Sequence, residues 1–239
     1  MNLGDHVGDD PACVASNRSA LAQALQARPV FMQQVHGSAV VSLSSASSAG
    51  LLQADGALTE QAGLACTVLV ADCLPILLAH RSLPLVAAVH AGWRGLAGVA
   101  DVQGQVVGVV EAAVAAMARA AGCAAAQVTG ELLAWLGPCI GPQAFEVGAE
   151  VRAAFMQADP AAAQHFAARA PGKYLADLPA LARARLGAVG ALNCYGNDGS
   201  APWCTVSNSA FFSHRRCSSR PGALPGQTGG RMAACIWLR

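Results

Sequence analysis

Apolar stretches alternate with short glycine- and proline-rich breaks along the chain, and the period of each stretch predicts an element. "DPACVASNRSALAQALQ" repeats apolar residues at helical spacing behind Asp10 as N-cap and Pro11 at the first helical position, which predicts a surface helix. "PVFMQQVHG" and "AVVSLSS" read as two strands paired around His36 and Gly37, and "DGALTEQ" as a turn into a further short strand. Residues 64–90 read as two apolar strands, one ending at "ADC" and the next at "VHAG". "VVEAAVAAMARAAG" is a helix stopped by Gly122. "LLAWLGPCIGP" is a strand that runs into a loop, "VGAEVRAAFMQ" and "DLPALARARLGAVG" are helices, and "RMAACIWL" is the last strand. Strands and helices mix without a regular β-α-β rhythm, which predicts an α+β fold: a single domain over residues 1–239, its mixed β-sheet layers covered by outer helices. "VADVQGQVV" and "CSSRPGALPGQTGG" read as surface insertions, the second rich in residues that favour turns over packing.

Composition narrows the function classes. Only 12% of residues are charged and 54% are hydrophobic, which excludes disorder and implies elements covered on one or both faces. The formal charge of +1, with its cations scattered, leaves no footprint for nucleic acid and no polybasic membrane anchor. The start "MNLGDHVGDD" lacks the positive and apolar regions of a signal peptide. The most apolar region is interrupted by Asp72 and Pro75, short of the roughly 18 residues of a membrane span. A cytoplasmic protein is expected. Nine cysteines without a secretory signal argue against a disulfide framework; Cys66, Cys123, Cys194 and Cys235 read as small core hydrophobes.

Chemistry concentrates where predicted strands end. "QQVHG" carries His36, "VADCLP" carries Cys73 and "AVHAGWRG" carries His90, and two imidazoles with one thiolate suit tetrahedral zinc with a fourth position for water or substrate. The three lie 37 and 17 residues apart, so only a sheet that gathers strand ends can unite them. Arg94, set between Trp93 and Gly95, is a candidate for phosphate or substrate contact. Asp72 precedes the thiol and is a candidate for orienting a histidine or for proton transfer; on a straight strand it faces the other way. Cys139 in "GPCIGP" is a rival nucleophile or substrate contact.

The strings "QVHG", "ADGALT", "ADCLPILLAH", "VHAGWRGLAG", "LGPCIGPQAFEVGAEV" and "GRMAACIWL" resemble, in order, those of the YfiH family, also called the polyphenol oxidase or laccase-domain family. The resemblance implies a layered α-β-β-α fold and makes His36, Cys73 and His90 the metal ligands, with zinc as the metal and copper as the alternative. It implies a zinc-dependent purine nucleoside phosphorylase that acts on adenosine, inosine, guanosine and methylthioadenosine, and that also deaminates adenosine. Purine nucleoside and phosphate are then the partners. The alternatives are a copper-dependent polyphenol oxidase and a non-catalytic, zinc-stabilised binding protein. "FFSHRR" is similar to a family segment that usually has tyrosine where His214 stands, while Arg215 and Arg216 match; Arg215 joins the substrate or phosphate candidates. Family members usually carry a strand and a glycine-rich loop before "NLGDHVGDD", so the domain is expected to lack that edge strand.

Overall fold

The computed structural model describes residues 1–47, 52–100, 106–219 and 229–239. The first helix, α1 (Pro11–Leu25), begins where Asp10 accepts a hydrogen bond from the Ala12 N–H at 3.0 Å. Its buried side packs on a three-stranded sheet built from β1 (Arg28–Val30), a later strand and the chain end. β2 (Val40–Ser42) and β3 (Gly56–Thr59) follow, then β4 (Leu64–Val70), β5 (Leu74–His80) and β6 (Val86–Ala91). β1, β4 and the terminal strand form the small sheet, while β2, β3, β5 and β6 enter a six-stranded one.

Two sequence expectations are corrected here. The strands flanking His36 do not pair with each other: β1 runs parallel to β4 and β2 runs parallel to β3, in different sheets. The alternation that marks a strand carries no address for its partner, and the turn between these strands passes from one sheet to the other. Residues 64–90 hold three strands rather than two, because a turn at residues 81–85 folds the second stretch into the antiparallel pair β5 and β6, while the first ends, as expected, at the backbone break at Asp72, whose φ is +97°. That break lets the chain leave the small sheet as β4 and enter the large one as β5.

Beyond β6 lie the short helix α2 (Trp93–Ala97), the two-residue strands β7 (Val99–Ala100) and β8 (Val106–Val107), and α3 (Val109–Ala121), closed by left-handed Gly122 as its glycine predicts. α4 (Ala125–Gly130) leads to β9 (Leu132–Leu136). β10 (Glu146–Gly148), α5 (Ala149–Ala158), β11 (Phe166–Ala170) and β12 (Lys173–Ala176) form a small annex in which β10, β12 and β11 pair antiparallel. α6 (Leu178–Ala188), β13 (Asn193–Gly196), α7 (His214–Ser218) and β14 (Met232–Trp237) complete the chain. The sequence reading did not anticipate α4 or the three annex strands β10, β11 and β12, although it did anticipate α5. The core of the expected "VADVQGQVV" and "CSSRPGALPGQTGG" insertions, residues 101–105 and 220–228, lies outside the described residues.

The large sheet has the order β13-β9-β5-β6-β3-β2 and the small one β1-β4-β14. Val30, Cys66, Val68 and Ala88 fill the space between the sheets, and Ala234 and Ile236 pack against them. On the other side of the large sheet, Ile76, Leu78, Val89, Met117 and Leu181 join it to α3 and α6 in one continuous core. Leu21 of α1 packs with Phe31 and Leu69 on the outer side of the small sheet. The layers therefore run α-β-β-α, as the family resemblance implies. β4 is buried at every position because it is covered on both faces. Among the described residues no helix is long and apolar enough to cross a membrane.

Candidate metal centre

The crossing from β4 to β5, the end of β6 and the turn after β1 converge at one point, where ligand atoms of His36, Cys73 and His90 lie within 4.8 Å of one another. His36 stands in the turn with φ +61°, and Cys73 follows the break at Asp72. His90 is buried near the end of β6. The two imidazole rings meet edge to face, with centroids 4.8 Å apart.

Asp55, at the start of "DGALT", holds two of these segments together and was absent from the sequence candidates. Its fully buried carboxylate accepts the N–H groups of Val35 at 3.2 Å, His36 at 2.9 Å and Gly37 at 2.7 Å. It also meets Nδ1 of His90 at 2.8 Å, which leaves Nε2 as the ligating nitrogen. The signal for it was an aspartate entering a strand whose neighbours are all apolar, because a buried carboxylate without partners is too costly to keep. The orienting role expected of Asp72 thus belongs to Asp55. Asp72 instead accepts hydrogen bonds from the Thr205 hydroxyl and the Arg215 N–H, each at 2.6 Å.

Electrostatics follow from this packing. Burial opposes a thiolate at Cys73, but the charge of His90 and hydrogen bonds from His36 and His90 outweigh it and bring the thiol down to about 6. Burial likewise opposes a charged His90, yet Cys73 and Asp55 beside it raise the imidazole to about 9. Burial would raise Asp55, but its bond to His90 and the Gly37 and His36 N–H groups hold it below the usual carboxylate value. A thiolate facing imidazoles is a donor set that suits a cation, with one charged proton standing where the cation would go. The surroundings fit as well. A Cβ on Gly92 would lie 2.9 Å from His36 Cδ2 and 3.2 Å from Cys73 Sγ, so only glycine leaves the ligands their room.

The cluster opens into a cleft of about 900 Å³. Phe31, Met32, Trp93, Ile140 and Phe145 give it apolar lining, Arg18, Arg215 and Arg231 bring cations, Asp5 and Asp72 carboxylates, and His6 and His214 imidazoles. His6 stood outside every sequence motif. Arg94 does not line this cleft: it is exposed, and its guanidinium lies 4.5 Å from the Trp93 ring centroid. Cys139 is fully buried behind Ile140, where its sulfur accepts from Asn197 at 3.4 Å and burial pushes the thiol well up. The structure thus brings together His36, Cys73, His90, Asp72 and Arg215, and leaves Arg94 and Cys139 outside the cavity. All nine cysteines are free thiols; Cys66 is in the core as expected, while Cys123, Cys194 and Cys235 are half-buried.

Residues 1–239 match the protein family described as multi-copper polyphenol oxidoreductase laccase. Curated relatives include a purine nucleoside phosphorylase of Pseudomonas aeruginosa, 45% identical over 242 residues that span 100% of this chain and 86% of the relative. Purine nucleoside phosphorylase YfiH of Escherichia coli is 42% identical over 241 residues, with 100% and 86% covered. Among solved structures, a Neisseria meningitidis protein shares 40% identity and superposes with a TM-score of 0.82 over 99% of this chain and 86% of its own. YlmD from Geobacillus stearothermophilus shares 30% identity at a TM-score of 0.82, over 100% of this chain and 84% of its own.

Proposed function

Because the chain belongs to the multi-copper polyphenol oxidoreductase laccase family, together with proteins named purine nucleoside phosphorylase YfiH, we propose that it is a zinc-dependent purine nucleoside phosphorylase that also deaminates adenosine. Adenosine, inosine, guanosine and methylthioadenosine are its proposed substrates. The observation that carries this reading is the His36, Cys73 and His90 cluster in a cleft that is also lined by apolar side chains and by Arg18, Arg215 and Arg231.

Each part of the cleft has a task in that chemistry. In phosphorolysis a phosphate oxygen bonds to ribose C1′ while the bond from C1′ to the purine nitrogen breaks, and the departing base takes up a proton. The apolar lining suits a purine face, and Trp93, which lines the cleft, is the proposed ring contact. Arg215 faces the same cavity and is the proposed phosphate contact. His36, Cys73 and His90 are the proposed zinc ligands, and Asp55 fixes His90 in the tautomer that ligates through Nε2. When bound, zinc supplies a Lewis acid that acidifies water or polarises a substrate oxygen. Arg94 and Cys139 take no part in this scheme, since neither lines the cavity.

The phenol oxidase reading draws on the family's description. A two-histidine, one-thiolate set also suits copper, but oxygen reduction by laccase chemistry needs several coppers. Among the described residues a single cluster gathers three metal-ligating side chains, which favours the phosphorolytic reading.

The test is chromatography of products after zinc-loaded protein meets adenosine, with and without phosphate, beside His90→Ala. Adenine and ribose 1-phosphate formed only with phosphate establish phosphorolysis, and inosine establishes deamination. Both are expected to be lost in His90→Ala. No product from the loaded protein leaves the non-catalytic, zinc-stabilised alternative in place.

A further inference from the structure

Asp72 ligates nothing in this arrangement, yet it joins the Cys73 turn to the opposite wall of the cleft. Its carboxylate is nearly buried, with Oδ1 accepting from the Thr205 hydroxyl and Oδ2 from the Arg215 N–H, each at 2.6 Å. Its own carbonyl accepts the Ile140 N–H at 2.8 Å. The left-handed φ of +97° is what turns this side chain toward residues 205 and 215 while Cys73 faces the histidines.

The wall it holds is a preassembled strap. The Arg216 guanidinium donates to the carbonyls of Thr205 at 2.5 Å, Val206 at 3.1 Å, Asn208 at 3.2 Å and Phe211, so residues 205–216 are wound around one cation. At the end of the strap α7 presents His214 and Arg215 to the cleft, and Arg215 Nη2 donates to the Glu146 carbonyl at 3.2 Å. A strap that is stiff within itself takes its position from its anchors, and the Asp72 carboxylate is the anchor on the metal-ligand side.

We propose that Asp72 is a positioning residue for the oxyanion co-substrate: it fixes Arg215 relative to the His36, Cys73 and His90 cluster, so that phosphate held by Arg215 stands beside the nucleoside. This rests on the phosphorolytic reading and assigns Asp72 no proton to carry. Both carboxylate oxygens act as acceptors toward groups that can only donate, or donate here, and an amide at this position satisfies one of them at most.

The experiment is a double-mutant cycle on the zinc-loaded protein with Asp72→Asn, Arg215→Ala and the pair, with Thr205→Val as a milder second break in the same anchor. Phosphate KM is expected to rise at least about tenfold in Asp72→Asn and in Arg215→Ala, with kcat at saturating phosphate falling less than about threefold. The double variant is expected to be no worse than the poorer single, and Thr205→Val to raise phosphate KM by a smaller factor. Bound zinc stays unchanged throughout. Amides of residues 213–218 are expected to exchange faster with solvent in Asp72→Asn. Additive losses in the cycle, a fall in kcat with phosphate KM unmoved, or unchanged exchange at 213–218 each overturn the inference. If wild-type protein splits no nucleoside, the phosphorolytic reading fails by itself; calorimetry with inorganic phosphate then decides, since binding weakened alike by both single changes supports the inference and an absence of binding to wild type ends it.

Discussion

Asp55, itself without exposure to water, accepts hydrogen bonds from three consecutive N–H groups of the His36 turn and from the His90 ring. In Asp55→Asn an amide NH₂ must face donors, and the buried imidazole loses its counter-charge. A loss of about 2–4 kcal/mol in stability is expected, read by denaturant melts of the metal-free protein. Zinc affinity is expected to fall about 10–100-fold, read by competition with a chromophoric chelator. Cys73 yields a second prediction. Its thiol lies at about 6, whereas that of exposed Cys13 is pushed up by Asp10. The thiolate fraction of Cys73 is therefore high at pH 7 and falls as pH drops through 6, as protons return. Iodoacetamide is expected to label Cys73 ahead of Cys13 in metal-free protein at pH 7, to lose that lead at pH 5, and to be blocked by zinc; peptide mass spectrometry reads the order. Of these residues, Cys73 and the two histidines were legible through their motifs, while Asp55 was hidden because its partners are backbone groups brought in from another segment. Arg94, expected as a phosphate or substrate contact, does not line the cleft, for a local reason. Successive residues on a helix point about 100° apart, so with Trp93 toward the cleft its neighbour points to solvent.

At the level of elements, α2 packs against the His36 turn more closely than side chains permit. Besides the cramped Gly92 position, a Cβ on Gly95 would sit 2.5 Å from the Gly37 carbonyl oxygen. Gly95 thus serves an approach of backbone to backbone and Gly92 an approach of backbone to the His36 and Cys73 side chains, and both have room only for hydrogen there. Gly92→Ala is expected to push the His36 ring aside, weakening zinc at least about tenfold while His90 keeps its bond to Asp55; chelator competition and the His90 imidazole resonance by NMR test the two halves of that statement. Helices α1 and α3 could be read from the chain because their signals are local: Asp10 and Pro11 begin one, and Gly122 ends the other. The parallel pairs β1 with β4 and β2 with β3 could not be read so, since their partners are set by layers that assemble from distant segments.

Across the whole molecule the proposed metal ligands sit where the two sheets exchange the chain. His36 lies on the path from the small sheet to the large one, Cys73 on the next such path, and His90 on a strand of the large sheet. A bound ion would tie both sheets at one point, and it has no such site in the unfolded chain. Chelation of loaded protein is therefore expected to lower Tm: free zinc at 100 times its Kd adds about 2.7 kcal/mol, and a chain of this size then loses roughly 5–10 °C. An unchanged Tm after verified zinc removal would mean that the ion does not bridge the sheets. The α+β class with outer helices was legible from the mixture of periods and the α-β-β-α layering through the family resemblance, whereas the cleft was not legible, because its walls come from residues as far apart as Arg18 and Arg231.

One carboxylate also constrains how this site is free to diversify. Asp55 positions the backbone that carries His36 and the ring of His90 together, so a substitution that shifts one histidine shifts its companion. Cys73 alone among the three is independent of that carboxylate. Evolutionary or engineered changes in metal preference therefore have their least disruptive route through the thiolate position, with the histidine pair inherited as a block.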